Sequence, residues 1–289
     1  MFSGSIVAIV TPFRGGKLDR KAYADLIEFQ IANGTSGIVP VGTTGESATL
    51  SHDEHKEVIK HCIDVVNKRV PVIAGAGSNA TAEALQLTQA AKDLGADASL
   101  HITPYYNKPT QEGLFRHFKT IAENVALPLV VYDCPSRTGV SVAPETVARL
   151  AAVKNIVALK DAEGNLDYTS AVRSLCDITI LSGNDSLNLP ILAVGGKGAI
   201  SVLANVAPRA TADLIAAFLR GDAATAEKLH RQWFPLCKSL FVESNPIPVK
   251  AALEMMGMIT GELRPPLYPI SDKGREVLRK DMVAVGLVK

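Results

Sequence analysis

Lys160 follows directly on the apolar run Ile156-Val157-Ala158-Leu159. A lysine that ends a buried strand has its ammonium partly stripped of water. That favours the neutral amine, the form that condenses with a ketone or aldehyde to give a Schiff base. The structural alternative is an ion pair with Asp161 or Glu163, since such pairs imitate functional perturbation. Tyr132 ends the preceding apolar run at the matching position, where its hydroxyl could carry protons as a carbinolamine forms and dehydrates. Thr43 and Thr44 offer hydroxyls to relay that proton. Buried tyrosines also commonly just satisfy a backbone carbonyl. Arg137 supplies a planar fork suited to a substrate carboxylate, with a surface salt bridge as the other reading.

These residues work together only if the chain brings them to one place. Eight short apolar runs recur: Ser5–Val10, Gly37–Val41, Pro71–Ala74, Ala98–Thr103, Pro128–Tyr132, Ile156–Leu159, Ile178–Leu181 and Gly198–Val202. Most are too continuous for half-exposed antiparallel strands and fit parallel strands buried on both sides. Helical spacing fills the intervals, as in Thr81–Leu94, where Thr81 is expected to cap and Ala84, Leu85, Leu87 and Leu94 recur on one side. No G-x-G-x-x-G follows the first run, which disfavours an open dinucleotide-binding sheet. The expected fold is α/β, a (β/α)8 TIM barrel over residues 1–221, with a small C-terminal helical domain over 222–289. Helices are expected there at Ala223–Phe241, Pro248–Met258 and Ser271–Val285. In such a barrel the site lies where the strands end.

Composition narrows the partners. The chain has 289 residues, 47% apolar and 20% charged, with a formal net charge of +1, so no nucleic-acid footprint or polybasic membrane patch is visible. A small-molecule partner fits best. No signal-peptide pattern or membrane-length apolar run is present, which leads to an expectation of a cytoplasmic protein. Cys62, Cys134, Cys176 and Cys237 form no C-x-x-C pair and read as free thiols in a reducing compartment.

Five motifs, in order, resemble the pyruvate-dependent class I aldolase (N-acetylneuraminate lyase) superfamily and, within it, the 4-hydroxy-tetrahydrodipicolinate (dihydrodipicolinate) synthase family. They are Gly42-Thr43-Thr44-Gly45-Glu46-Ser47, Pro104-Tyr105-Tyr106-Asn107-Lys108-Pro109, Tyr132 through Gly139, the Lys160 segment with Gly164-Asn165-Leu166, and Glu243 through Lys250. The resemblance covers essentially the whole chain. It implies condensation of pyruvate with L-aspartate 4-semialdehyde in the diaminopimelate and L-lysine pathway, through an imine on Lys160 and without a separate cofactor. Tyr132, Thr43 and Tyr106 would form the proton relay, with Tyr106 reaching a neighbouring subunit's site. Thr44 would contact the pyruvate carboxylate, Arg137 would hold that of the semialdehyde, and Gly183 and Ile200 match backbone contacts around the lysine. A homotetramer built as a dimer of dimers is implied. The nearest alternatives are N-acetylneuraminate lyases and keto-deoxy sugar acid aldolases, which tend to carry an apolar residue where Arg137 stands. A non-catalytic sensor on the same barrel would not need Lys160, Tyr132 and Thr43 together.

Ser47, Ala48, His52, His55, Asn79, Glu83 and Tyr105 match positions that bind the feedback inhibitor L-lysine in sensitive members. Glu83 would accept the ammonium, Asn79 and Tyr105 the carboxylate end, and the two histidines the side chain. A metal is not expected, because H-D-E-H lacks the H-E-x-x-H spacing. Asp133 departs from the Asn usual after the tyrosine, Asn184 stands where Asp is common, and Asp161 replaces the commoner Glu. Asp133 would raise the Tyr132 pKa if it faced the site.

Overall fold

The computed structural model describes residues 2–289; Met1, the first residue of the expected barrel domain, lies outside the described residues. Eight parallel strands alternate with helices: β1 (Gly4–Ala8), β2 (Gly37–Val39), β3 (Ile73–Gly75), β4 (Ala98–Ile102), β5 (Leu129–Asp133), β6 (Ile156–Asp161), β7 (Thr179–Ser182) and β8 (Gly198–Ser201). Each of the eight apolar runs thus overlaps a strand. The sheet order is β2-β1-β8-β7-β6-β5-β4-β3. Its two ends meet in the parallel bridge Ile38↔Val72, backed by Ile38 N donating to Pro71 O at 3.0 Å, so the sheet closes into the expected (β/α)8 barrel.

Side chains alternate between the barrel interior and the helices outside it. Ile6, Ala8, Leu100, Val130, Tyr132, Ala158, Leu181 and Ile200 form the inner cluster, while Leu129, Val131, Ile156, Leu159 and Ile180 pack outward. One irregularity decides where Lys160 points. Leu129 pairs with Ile156 but Val130 pairs with Ala158, so β6 carries one extra residue, Val157. Ile156 therefore faces out and Ala158 in, and Lys160 follows Ala158 to the inside. Strict alternation from Ile156 would have turned Lys160 outward; a bulge re-aims it. Beyond it the register pairs Tyr132 with Lys160 and Asp133 with Asp161.

Thr81–Leu94 is helical over the expected span, but Thr81 is not its cap. Ala80 occupies that position, and the Thr81 hydroxyl instead bonds His117 Nδ1 at 2.9 Å. After β8 come helices Pro208–Leu219, Ala223–Ser239, Ile247–Met255 and Asp272–Ala284, the last capped by Ser271. Leu236, Leu240, Val249, Leu253, Leu278 and Met282 join one apolar cluster with Val7, Ile9 and Val41 of the barrel. That shared burial holds the C-terminal helices against the barrel and brings Asn245 and Lys250 to the mouth. Among the described residues, no helix is long and apolar enough to cross a membrane.

Candidate active site

A cavity of about 400 Å³ opens at the C-terminal ends of the strands. Lys160 lines it, 6% exposed, with Nζ 4.0 Å from the centroid of the Tyr132 ring. The ion pair considered for this lysine does not form. Asp161 faces outward, accepting from Thr169 Oγ1 at 2.6 Å and from Glu163 N at 3.1 Å. Burial therefore acts on an ammonium without a carboxylate partner and lowers its pKa to about 8, with Cys134 and Asp185 opposing and Arg137 assisting. At pH 7.5 about a quarter of such a lysine is neutral amine, against about one part in a thousand at its ordinary value. Burial also pushes the Tyr132 phenol well above its ordinary range, reinforced by Cys134 and opposed by Arg137 and the Thr43 hydroxyl. Tyr132 is thus held protonated, ready to donate.

The loop after β2 brings Thr43 and Thr44 to the same cavity. Val41 and Glu46 bracket it in left-handed backbone, at φ 47° and 56°. For a β-branched valine this is an outlier, and such strain persists only where the surroundings over-determine it. Here a side chain on Gly45 would come within 2.9 Å of the Val41 backbone, and one on Gly75 would overlap the Val41 carbonyl. Thr44 Oγ1 accepts from Asn245 Nδ2 at 3.0 Å. Arg137, on the short helix Pro135–Thr138, donates through Nη2 to the Asn245 carbonyl at 3.1 Å and lines the cavity mouth. Gly183 gives Lys160 its room, since a Cβ there would stand 3.0 Å from Lys160 Cε. Ile200 lies in the inner cluster and does not line the cavity. Tyr106 is not brought into it either: it is 92% exposed, at φ 71°.

A second cavity, of about 440 Å³, is lined by Ser47, Ala48, His52, His55, Glu83 and Tyr105. Asn79 stands behind it, donating to the Tyr105 carbonyl at 3.2 Å. Glu83 is already engaged by Ser78 Oγ and by His52 Nε2 at 2.8 Å, and the Ser78 bond leads in lowering its pKa. His55 Nε2 donates to the Gly75 carbonyl at 2.7 Å, and burial lowers its imidazole pKa. Among the described residues, no three His, Cys, Asp or Glu side chains gather as a metal site. Thr43, Arg137 and Asn245 line both cavities and so form the wall between them.

The model of the dihydrodipicolinate synthetase family matches residues 1–285. The chain belongs to this family. It is thereby a Schiff-base-forming lyase of the class I aldolase type. A 4-hydroxy-tetrahydrodipicolinate synthase of Syntrophus aciditrophicus is 55% identical, with all of both chains covered. A dihydrodipicolinate synthase structure from Acinetobacter baumannii, complexed with pyruvate, is 48% identical over all of both chains, with a TM-score of 0.98. One from Cyanidioschyzon merolae with lysine bound is 39% identical, covering 99% of each chain, with a TM-score of 0.96.

Against the family pattern, Asp133 does not face the site. It points outward from β5, where its Oδ2 accepts from Ser141 Oγ and Val142 N, each at 3.0 Å. The condition for a rise of Tyr132 by like charge is therefore not met, and the rise that Tyr132 does show comes first from burial. Asn184 lines the cavity and accepts at Oδ1 from Ser186 Oγ at 2.9 Å. No individual role is legible in the sequence for Asn245 or for the fully buried ion pair between Lys250 and Glu46. Asp185 was also missed; it joins the ends of β7 and β8 by accepting from Ser201 Oγ at 2.6 Å and from Val202 N at 2.8 Å. The signal for the first two was the polar, proline-bearing run Glu243 to Lys250 between helical segments.

Proposed function

We propose that this chain condenses pyruvate with L-aspartate 4-semialdehyde to give 4-hydroxy-tetrahydrodipicolinate, using Lys160 as the covalent nucleophile and no separate cofactor. The observation that carries the reading is the buried Lys160 amine, unpaired with any carboxylate and set against Tyr132 at the mouth of a closed barrel. The neutral amine adds to the keto carbon, and the carbinolamine loses water as Tyr132 supplies a proton to the departing hydroxyl. The imine loses a methyl proton to become an enamine, whose carbon attacks the aldehyde. The semialdehyde's own amine then displaces Lys160 and closes the ring. One water leaves per turnover, at imine formation.

Thr44 serves the pyruvate carboxylate, Arg137 that of the semialdehyde, and the Gly183 and Ile200 backbones surround the lysine. Tyr106 completes the relay of Tyr132 and Thr43 from a neighbouring subunit, in a homotetramer that works in the cytoplasm. Its nearly complete exposure in the single chain supports that use. L-Lysine is the proposed inhibitor at the second cavity, through Ser47, Ala48, His52, His55, Asn79, Glu83 and Tyr105, with Glu83 exchanging His52 for the incoming ammonium. The pyruvate-bound and lysine-bound relatives support these assignments.

The test is borohydride reduction with pyruvate followed by peptide mapping, together with turnover of aspartate semialdehyde. An adduct on Lys160 and efficient turnover are expected. An adduct elsewhere, activity of Lys160→Ala within a few fold of wild type, or preference for a sialic or keto-deoxy sugar acid would overturn the proposal.

A further inference from the structure

Asn245 is 5% exposed and belongs to the wall between the two cavities. Its side chain makes one polar contact among the described residues: Nδ2 donates to Thr44 Oγ1 at 3.0 Å, while Oδ1 is buried without a partner. A hydroxyl has a single proton to give. Nearby buried threonines spend theirs on the protein, Thr11 on the Gly45 carbonyl at 2.7 Å and Thr138 on the Val140 carbonyl at 2.9 Å. Thr44 differs: its oxygen is the acceptor for Asn245, and no protein acceptor takes its proton among the described residues. That proton is left for the cavity, where a carboxylate is the group that binds a donor best.

The two partners are also held in register. Lys250, five residues beyond Asn245 on the helix Ile247–Met255, forms the buried ion pair with Glu46, two residues beyond Thr44. Glu46 Oε2 accepts from Arg264 N at 3.0 Å, and Lys250 donates to the Glu262 carbonyl at 2.6 Å. The Arg137 bond to the Asn245 carbonyl ties the same segment to the helix Pro135–Thr138. Asn245 therefore approaches Thr44 from a fixed position.

We infer that Asn245 is a positioning residue for the keto acid: by donating to Thr44 Oγ1 it turns the Thr44 hydroxyl proton into the cavity, toward the carboxylate of the substrate bound to Lys160. The inference rests on Lys160 being the imine-forming amine. The reverse amide orientation would consume the Thr44 proton, and the two arrangements answer differently to substitution.

The experiment uses Asn245→Asp, which keeps the size but removes both N–H donors, and Asn245→Ala, which frees the Thr44 hydroxyl. Each is made in the full-length protein and in a Thr44→Val background. The readout is the fraction of chain trapped by borohydride as pyruvate concentration rises, with KM for each substrate beside kcat. Asn245→Asp is expected to raise half-saturating pyruvate about tenfold or more, as befits loss of a hydrogen bond to a charged group. Asn245→Ala should raise it a few fold, with KM for the semialdehyde within about twofold of wild type. Neither should add to the defect of Thr44→Val. Wild-type trapping by either variant, or an additive loss in the Thr44→Val background, overturns the inference while leaving the Lys160 chemistry intact. A wild-type protein that forms no adduct at all removes the premise and the inference together.

Discussion

Changing Asp133 to Asn exchanges one buried carboxylate oxygen for an amide nitrogen, behind the strand that carries Tyr132. Oδ2 keeps two donors, Ser141 Oγ and Val142 N, but Oδ1 has none. The neighbouring Tyr168 hydroxyl gives its proton to the Val142 carbonyl at 2.9 Å and not to Oδ1. Burial raises the carboxyl from 3.8 to about 6, against the Val142 and Ser141 bonds and the nearby Tyr168 hydroxyl, and with help from Asp161. A carboxyl raised on folding contributes stability that is fully present below its unfolded pKa and lost as pH rises through the folded one. The interval from 3.8 to about 6, at ~1.36 kcal/mol per pH unit, places about 3 kcal/mol against the folded state at pH 8. Asn stays neutral, accepts from both donors through its oxygen, and offers Nδ2 to the Tyr168 oxygen. Asp133→Asn is therefore expected to stabilise by up to about 3 kcal/mol at pH 8, falling below about 1 kcal/mol by pH 4. The assay is urea unfolding of both proteins across that range. Burial lowers His101 to about 3 and His117 to about 4, which destabilises both proteins equally as pH falls and cancels in the difference. A difference that is flat with pH, or a less stable Asn variant at pH 8, would refute the reasoning.

Three further outcomes are expected. Trapping of pyruvate on Lys160 by cyanoborohydride should slow about tenfold per pH unit below about 8, the region where the amine becomes protonated; a rate independent of pH from 6 to 8 would contradict the depressed pKa. Lys250→Met leaves Glu46 buried and unpaired, so urea unfolding should reveal a loss of about 3–5 kcal/mol, and a loss under about 1 kcal/mol would mean the pair is not as enclosed as it stands. Glu83→Gln should weaken L-lysine binding in calorimetry at least about tenfold while leaving pyruvate trapping unchanged; equal lysine binding by both proteins would remove Glu83 from that site.

The barrel was legible because parallel strands buried on both faces are written as continuous apolar runs, and Lys160 because it ends one of them. Less was legible where the determinant is not local. Thr44 meets Asn245 across 201 residues and Glu46 meets Lys250 across 204, distances over which no periodicity carries information. The Val157 bulge, which turns Lys160 inward, depends on pairing with β5 and leaves no mark in an all-apolar run. Thr81 had the chemistry of a cap, yet tertiary contact with His117 took its hydroxyl. Alternation along β5 likewise puts Asp133 outside once Tyr132 is inside. Tyr106 shows the opposite limit, a motif residue that stands 92% exposed outside the cavity.

The contact between Thr44 and Asn245 also has a consequence in time. A ribosome adding ~5–20 residues per second makes Thr44 roughly 10–40 s before Asn245, the interval set by their separation of 201 residues. Lys160 is made between the two. From the synthesis of Lys160 until that of Asn245 the nascent chain holds the amine but not the clamp on its threonine loop. The barrel's mouth is finished last, by the C-terminal residues Cys237, Phe241 and Asn245 that line it, so the cavity around the lysine is complete only as synthesis nears its end.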